Sequence, residues 1–234
     1  MSVIWHQLEC GGYTGDLPLW RALASEHGDP ILDIGAGTGR VALDLVSHGH
    51  RVTALDRDPA LLAELADHAQ LRTVRADARS FTLGHRFALC LVPMQTIQLL
   101  GGARGRRDFL RCAQRHLSVG GVLAAAIADA LEPYEVSVDS LYPLADMCER
   151  SGVVYSSQPI AIRADHDGYV LERRRETITA SEERRVEHDL IRLDRLTPEQ
   201  LEQEAVAVGM RAAGRARVAP TREHAGSVVV MLST

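Results

Sequence analysis

Three glycines at alternate positions, Gly35, Gly37 and Gly39 in ILDIGAGTGR, follow an apolar run and precede a helical pattern. Glycine at such points lets the backbone turn tightly and lets a ligand approach its N–H groups. The helix that follows adds partial positive charge from its N-terminus. A dinucleotide, a triphosphate and a smaller nucleoside cofactor are all served by turns of this kind. The spacing here is GxGxG, whereas the dinucleotide fingerprint GxGxxG has its third glycine one place later. Two acids extend the pattern. Asp56 lies nineteen positions beyond Gly37, at the end of the next apolar run in ALDRDP, where a carboxylate accepts hydrogen bonds from both hydroxyls of an unphosphorylated ribose. Asp77, in VRADAR, follows the third run, where an acid reaches an adenine amino group.

Holding these groups together requires strands and helices in alternation. Residues 31–34, 51–55, 71–74, 87–92 and 122–128 read as strands, and 39–48 and 109–117 as helices. Another helix starts at Asp58-Pro59, with Asp58 as N-cap and an apolar face of Leu61, Leu62, Leu65 and Ala69. Alternation at this spacing means a parallel sheet with right-handed crossovers. From 151 to about 196 the chain changes character, with three strand-like runs that read as an antiparallel meander. Its first joint, Asp165-His166-Asp167-Gly168, is expected to use the glycine for a positive φ. Thr197-Pro198-Glu199-Gln200 reads as a capping box opening a helix that ends near Gly209. Two strands, 211–218 and 227–232, close the chain.

The order strand, GxGxG, helix, strand, Asp, helix, strand, Asp resembles the class I S-adenosylmethionine-dependent methyltransferases. The likeness is clear over about residues 30–128, and it extends over 200–232 by topology. It implies an α/β fold: a Rossmann-like, mostly parallel sheet whose last strand is antiparallel, here with an added antiparallel β meander. Residues 1–29 would form an N-terminal helical lid, 30–150 and 197–234 the cofactor domain, and 151–196 an insertion that covers the acceptor or makes a dimer contact. The cofactor implied is S-adenosyl-L-methionine, with S-adenosyl-L-homocysteine as product. In that family, an acid two places before the first glycine helps hold the methionine amino group; here it is Asp33. Gly35, Ala36, Gly37 and Gly39 would lie along the homocysteine and ribose, Asp56 with Arg57 at the ribose, and Asp77 with Ala78 at the adenine. Met94, Gln95, Thr96 and Gln98 fall where family members contact cofactor and substrate. Ala88 stands where the family usually carries an acid near the start of the fourth strand.

Methyl transfer from a sulfonium needs alignment above all, and a base only where the acceptor must lose a proton. Tyr13, His6 and Gln95 are the catalytic candidates. Tyr13, Trp20, Gln95, Gln98 and Tyr155 are the residues expected to contact substrate, and three of the ten aromatics fall within the first 20 residues. No [DN]PP[YF] stretch, Pro-Cys dipeptide or metal-ligand spacing occurs, so no metal site is expected. A net charge of −5 disfavours a nucleic-acid partner. The arginine runs at Arg104, Arg106 and Arg107 and at 173–175 are the features that keep RNA or protein methylation open. Four scattered cysteines, no signal-peptide pattern and no apolar run of roughly 18 residues point to a cytoplasmic protein without a membrane partner. The expected function is methyl transfer to an O or N atom of a small-molecule acceptor, with natural-product and amino-sugar acceptors in view, by a monomer or homodimer. A nucleotide-binding or NAD-dependent protein of the same sheet topology is the alternative from another class.

Overall fold

The structure is a computed structural model that describes residues 3–65, 70–137, 143–221 and 224–234. In chain order the elements are α1 (Val3–His6), a π-helical turn (Gln7–Gly11), α2 (Leu17–His27), β1 (Ile31–Ile34), α3 (Arg40–Ser47), β2 (Val52–Asp56), α4 (Pro59–Ala63) and β3 (Leu71–Arg75). Next come β4 (Phe87–Val92), a 3-10 turn (Thr96–Leu99), α5 (Gly102–His116), β5 (Leu117–Ile127), β6 (Tyr134–Glu135), β7 (Asp146–Arg150) and β8 (Val153–Ala164). The chain ends with β9 (Gly168–Ile178), β10 (Arg184–Asp194), α6 (Pro198–Val206), β11 (Arg211–Val218) and β12 (Ser227–Ser233).

Seven strands form one sheet in the order β11-β12-β5-β4-β1-β2-β3. β1 to β5 are parallel, and β12 runs antiparallel to both of its neighbours. The mostly parallel sheet with an antiparallel last strand is thus as expected from the resemblance. It also differs from the 3-2-1-4-5-6 order of the dinucleotide fold. Both faces of the sheet are covered, which is why its central strands are apolar on both sides. Leu89, Leu91, Ala124 and Ala126 pack toward α2 and α3, while Cys90, Val92, Ala125 and Ile127 pack with residues of α5 and α6. The helix after β2 is short, with Asp58 accepting from Ala60 N–H as its cap. Leu61, Leu62 and Leu65 are buried, and Ala69, assigned to the same face, lies outside the described residues.

Three sequence expectations change. Helix α5 begins at Gly102, seven residues before the expected start. Arg106 occupies an inward position of that helix, so its charge masks the 3.6-residue pattern. Strand β5 begins at Leu117, which pairs with Phe87, and the ladder then skips to Val122 opposite Leu89; Gly120-Gly121 sits inside this bulge. Gly168 is absent from the glycines of positive φ. Glycine is needed there because a Cβ would lie 2.1 Å from the Leu193 carbonyl oxygen.

The second sheet has the order β10-β9-β8-β6, with β7 also on β8. β8, β9 and β10 are the meander, and the sheet draws in 134–135 and 146–150 from ahead of residue 151. Gln98 joins the two sheets. It is buried, its amide nitrogen donates to the carbonyls of Ala128 (3.2 Å) and Asp194 (3.0 Å), and its amide oxygen accepts from Ala128 N–H (2.9 Å). Arg106 reinforces the joint with ion pairs to Asp194 and Glu204. Gln98→Ala would strand these backbone groups in a dry interior. We expect a loss of about 2 to 5 kcal/mol from two or three unpaired buried groups, read as a lower urea midpoint; an unchanged midpoint would refute this role.

Candidate cofactor site

The glycine turn begins where β1 ends at the carboxyl edge of the sheet. Gly35 and Ala36 donate to the Leu55 carbonyl (2.8 and 3.1 Å), which ties the turn to β2. Gly35 and Gly37 have φ of 72° and 57°, a left-handed conformation that other residues adopt at a cost. The backbone is also crowded from three directions. An added Cβ would lie 2.5 Å from Thr96 Cγ2 at Gly35, 2.3 Å from the His6 imidazole at Gly37, and 2.1 Å from Leu65 at Gly39. Gly37 N–H donates to Asp56 Oδ2, and Asp58 N–H to Asp56 Oδ1, each at 2.9 Å. Each oxygen of Asp56 thus takes one backbone donor, and carboxylate oxygens have lone pairs for more.

Asp33 is the third residue of β1. Strand alternation places it on the α2/α3 face with Ile31, where an apolar residue would be ordinary. It is 1% exposed, and neither oxygen has a hydrogen-bond partner at normal geometry. Burial pushes its pKa up to about 7; the Arg40 guanidinium and the Ala42 N–H, acting from farther off, pull the other way but less strongly. A buried carboxyl without partners is costly, and it matches a cationic group.

The remaining expected residues divide into two sets. Asp77 follows β3 and binds Arg79 through that residue's N–H, Nε and Nη2, contacts that hold its carboxyl down to about 2. Ala78 is half-buried against the α5/α6 core, and Arg57 is exposed beside Asp56. Met94, just past β4, has φ 54°, a strained value for a side-chain-bearing residue of the sort found at functional sites. Gln95 is half-buried and its carbonyl accepts from Gln98 N–H. Tyr13 stacks on His224 (4.5 Å between rings) with the Arg40 guanidinium 5.2 Å from its centre. Tyr155 meets Trp5 edge-on at 5.5 Å. By contrast, Trp20 is fully buried in the core with its N–H on Asp16, and the Gln98 amide is bonded to backbone on both sides. These two, expected at the substrate, hold structure instead.

The chain contributes polar groups that sequence reading missed. Arg40, immediately after the last glycine, makes a two-pronged ion pair with Asp16 (2.5 and 2.8 Å) and donates to the Tyr13 carbonyl. Glu9, 4% exposed in its side chain, pairs with Arg175 through both oxygens (2.6 and 2.8 Å) and accepts from the Ser157 hydroxyl. Neither partner is close in sequence, so only the adjacency of Arg40 to the glycines hinted at these residues. The arginine runs are largely accounted for. Arg106 pairs with Asp194 and Glu204, Arg173 with Asp146, Arg174 with Glu176, and Arg175 with Glu9 and Asp189. Among the described residues no cluster could hold a metal ion, and no helix is long and apolar enough to cross a membrane.

Residues 31–121 match a family model described as a methyltransferase domain. Over 101 residues the chain is 31% identical to a probable cobalt-precorrin-6B C(15)-methyltransferase (decarboxylating) from Methanothermobacter thermautotrophicus. That alignment covers 42% of this chain, and it spans about half the relative's length (53%). Two solved structures share the fold along nearly the whole chain. The sugar N-methyltransferase KedS8 from Streptoalloteichus sp. ATCC 53650 superposes with a TM-score of 0.75 at 20% identity, covering 100% of this chain and 94% of that one. The S-adenosylmethionine-bound amino pentose methyltransferase CalS10 from Micromonospora echinaspora gives 0.72 at 21%, covering 99% and 97%. The resemblance to class I S-adenosylmethionine-dependent methyltransferases is borne out, and one of the two structures that share the fold, CalS10, holds S-adenosylmethionine.

The buried acid has a measurable signature. The native state keeps the Asp33 proton up to about pH 7, whereas the unfolded chain releases it near 3.8, so this group lowers stability as pH rises between those values. Asp33→Asn removes that slope. Without cofactor, the stability of the Asn variant relative to wild type should rise by a few kcal/mol from pH 5 to pH 8; urea unfolding with an equal difference at both pH values would contradict the assignment.

Proposed function

We propose that this chain is an S-adenosylmethionine-dependent methyltransferase that methylates an oxygen or nitrogen atom of a small molecule. Asp33 carries the reading. A dinucleotide or triphosphate presents phosphates to the glycine turn and helix N-terminus, and offers no cation to a buried carboxyl at that point. A methionine amino group is a cation and would give Asp33 its missing partner. With that end held, Asp56 would accept from the ribose hydroxyls, Asp77 and Ala78 would serve the adenine, and Met94 would bound the site beyond β4.

S-adenosylmethionine supplies the electrophilic methyl group when bound. The chain's own residues orient the two reactants and keep water out, a contribution that comes from positioning. His6 over Gly37 and Tyr13 against Arg40 support such a role for the N-terminal segment. Burial lowers the His6 pKa, which keeps the imidazole neutral and able to accept a proton. Burial raises that of Tyr13, which suits it to donate a hydrogen bond rather than act as a base. A cleft of about 540 Å³ between the N-terminal residues Ile4, Gln7, Leu8 and Gly12 and strand β7 has the size of a small-molecule pocket. Together with the internal pairing of Arg106 and of 173–175, it supports a small acceptor over RNA. The sugar and amino pentose methyltransferases that share the fold support an amino-sugar or natural-product acceptor.

Titration calorimetry tests the donor. S-adenosylmethionine and S-adenosylhomocysteine should bind and NAD should not; the reverse pattern would overturn the proposal. Asp56→Ala should weaken S-adenosylhomocysteine about 10- to 100-fold, as expected for lost hydrogen bonds to a charged group, and unchanged affinity would remove Asp56 from the site.

A further inference from the structure

His6 is held against the glycine turn by contacts on both sides of it. Its imidazole Cε1 and Nε2 occupy the space that a side chain at residue 37 would need, and its Nδ1 is hydrogen-bonded to the Thr38 hydroxyl at 3.3 Å. Just before it, Trp5 is packed on Tyr155 and under the Arg175 guanidinium. Just after it, Glu9 is locked to Arg175 and Ser157, and farther on Asp16 is locked to Arg40. These anchors need no ligand. The Nε2 edge lies on Gly37, whose own N–H is bonded to Asp56. Gly37 thus has the imidazole against its α-carbon and the Asp56 carboxylate on its N–H.

We propose that His6 is a cofactor-contact residue, set beside Asp56 so that imidazole and carboxylate together hold the ribose hydroxyls of an adenosyl cofactor. The proposal rests on the methyltransferase reading above. With Nδ1 engaged by Thr38, Nε2 is the atom that meets a hydroxyl. Because the imidazole comes from the N-terminal segment, cofactor binding and the seating of that segment become one event.

The test compares S-adenosylhomocysteine with its 2′-deoxy and 3′-deoxy analogues by titration calorimetry, on wild type, His6→Ala and His6→Gln, each first shown to be folded by circular dichroism. His6→Ala should bind S-adenosylhomocysteine about five- to tenfold more weakly, the effect of one lost hydrogen bond. It should bind one deoxy analogue as wild type does, because the hydroxyl that His6 serves is already missing there. His6→Gln, which keeps a polar atom near the Nε2 position, should recover most of the loss. Equal weakening toward all three ligands would reduce His6 to packing, and tighter binding by His6→Ala would make the imidazole a competitor; either result overturns the proposal. Failure of wild type itself to bind S-adenosylhomocysteine would defeat the underlying methyltransferase reading, a result visible before any variant is made.

Discussion

Three distant parts of the chain come to rest on the bare backbone of one turn. Thr96 arrives from beyond β4, His6 from the N-terminal segment and Leu65 from the turn after α4, each within a Cβ's distance of a glycine. A side chain at any of these positions would push one of them away. The spacing of the glycines therefore does two things: it lets the turn fold back on β2, with the Gly35 and Ala36 N–H groups on the Leu55 carbonyl and the Gly37 N–H on Asp56, and it lets these three side chains close on the turn. Asp56 depends on this arrangement, since its oxygens are oriented by N–H groups of the turn and of Asp58.

The treatment of buried charge separates scaffold from site. Arg106 is satisfied by Asp194 and Glu204, Arg40 by Asp16, and Arg175 by Glu9 and Asp189. Such pairs recover the cost of desolvation only where geometry is good, and here they are short and mostly two-pronged. Asp33 is treated differently, being enclosed with neither oxygen bonded. Among the described residues the buried charges of Asp16, Arg106 and Arg175 are paired, and Asp33, next to the glycine turn, is the acid for which a cationic ligand group is proposed.

The second sheet is joined to the first through a few polar contacts. The Gln98 amide and Arg106 grip Asp194 at the end of β10, and Glu9 crosses from the N-terminal segment to Ser157 and Arg175. The N-terminal segment thus touches the glycine turn and the second sheet at once. That placement couples the region proposed for the donor to the region proposed for the acceptor.

Much of the large sheet was legible in the sequence, because it follows from local rules: apolar runs of strand length, the Asp58 and Thr197 caps, and glycines at alternate positions. The placement of Asp33 within β1, Asp56 at the end of β2 and Asp77 just after β3 was legible for the same reason. Local rules did not reveal the burial of Trp20 and Gln98, whose aromaticity and polarity suit a ligand site as well as a buried joint. Helix α5 was read short because Arg106 is charged yet faces inward. What only the tertiary structure decided was pairing: Arg40 with Asp16, Arg175 with Glu9, His6 against Gly37. These partners lie tens to more than a hundred residues apart, and residue type announces a need for a partner without saying where along the chain it will be found.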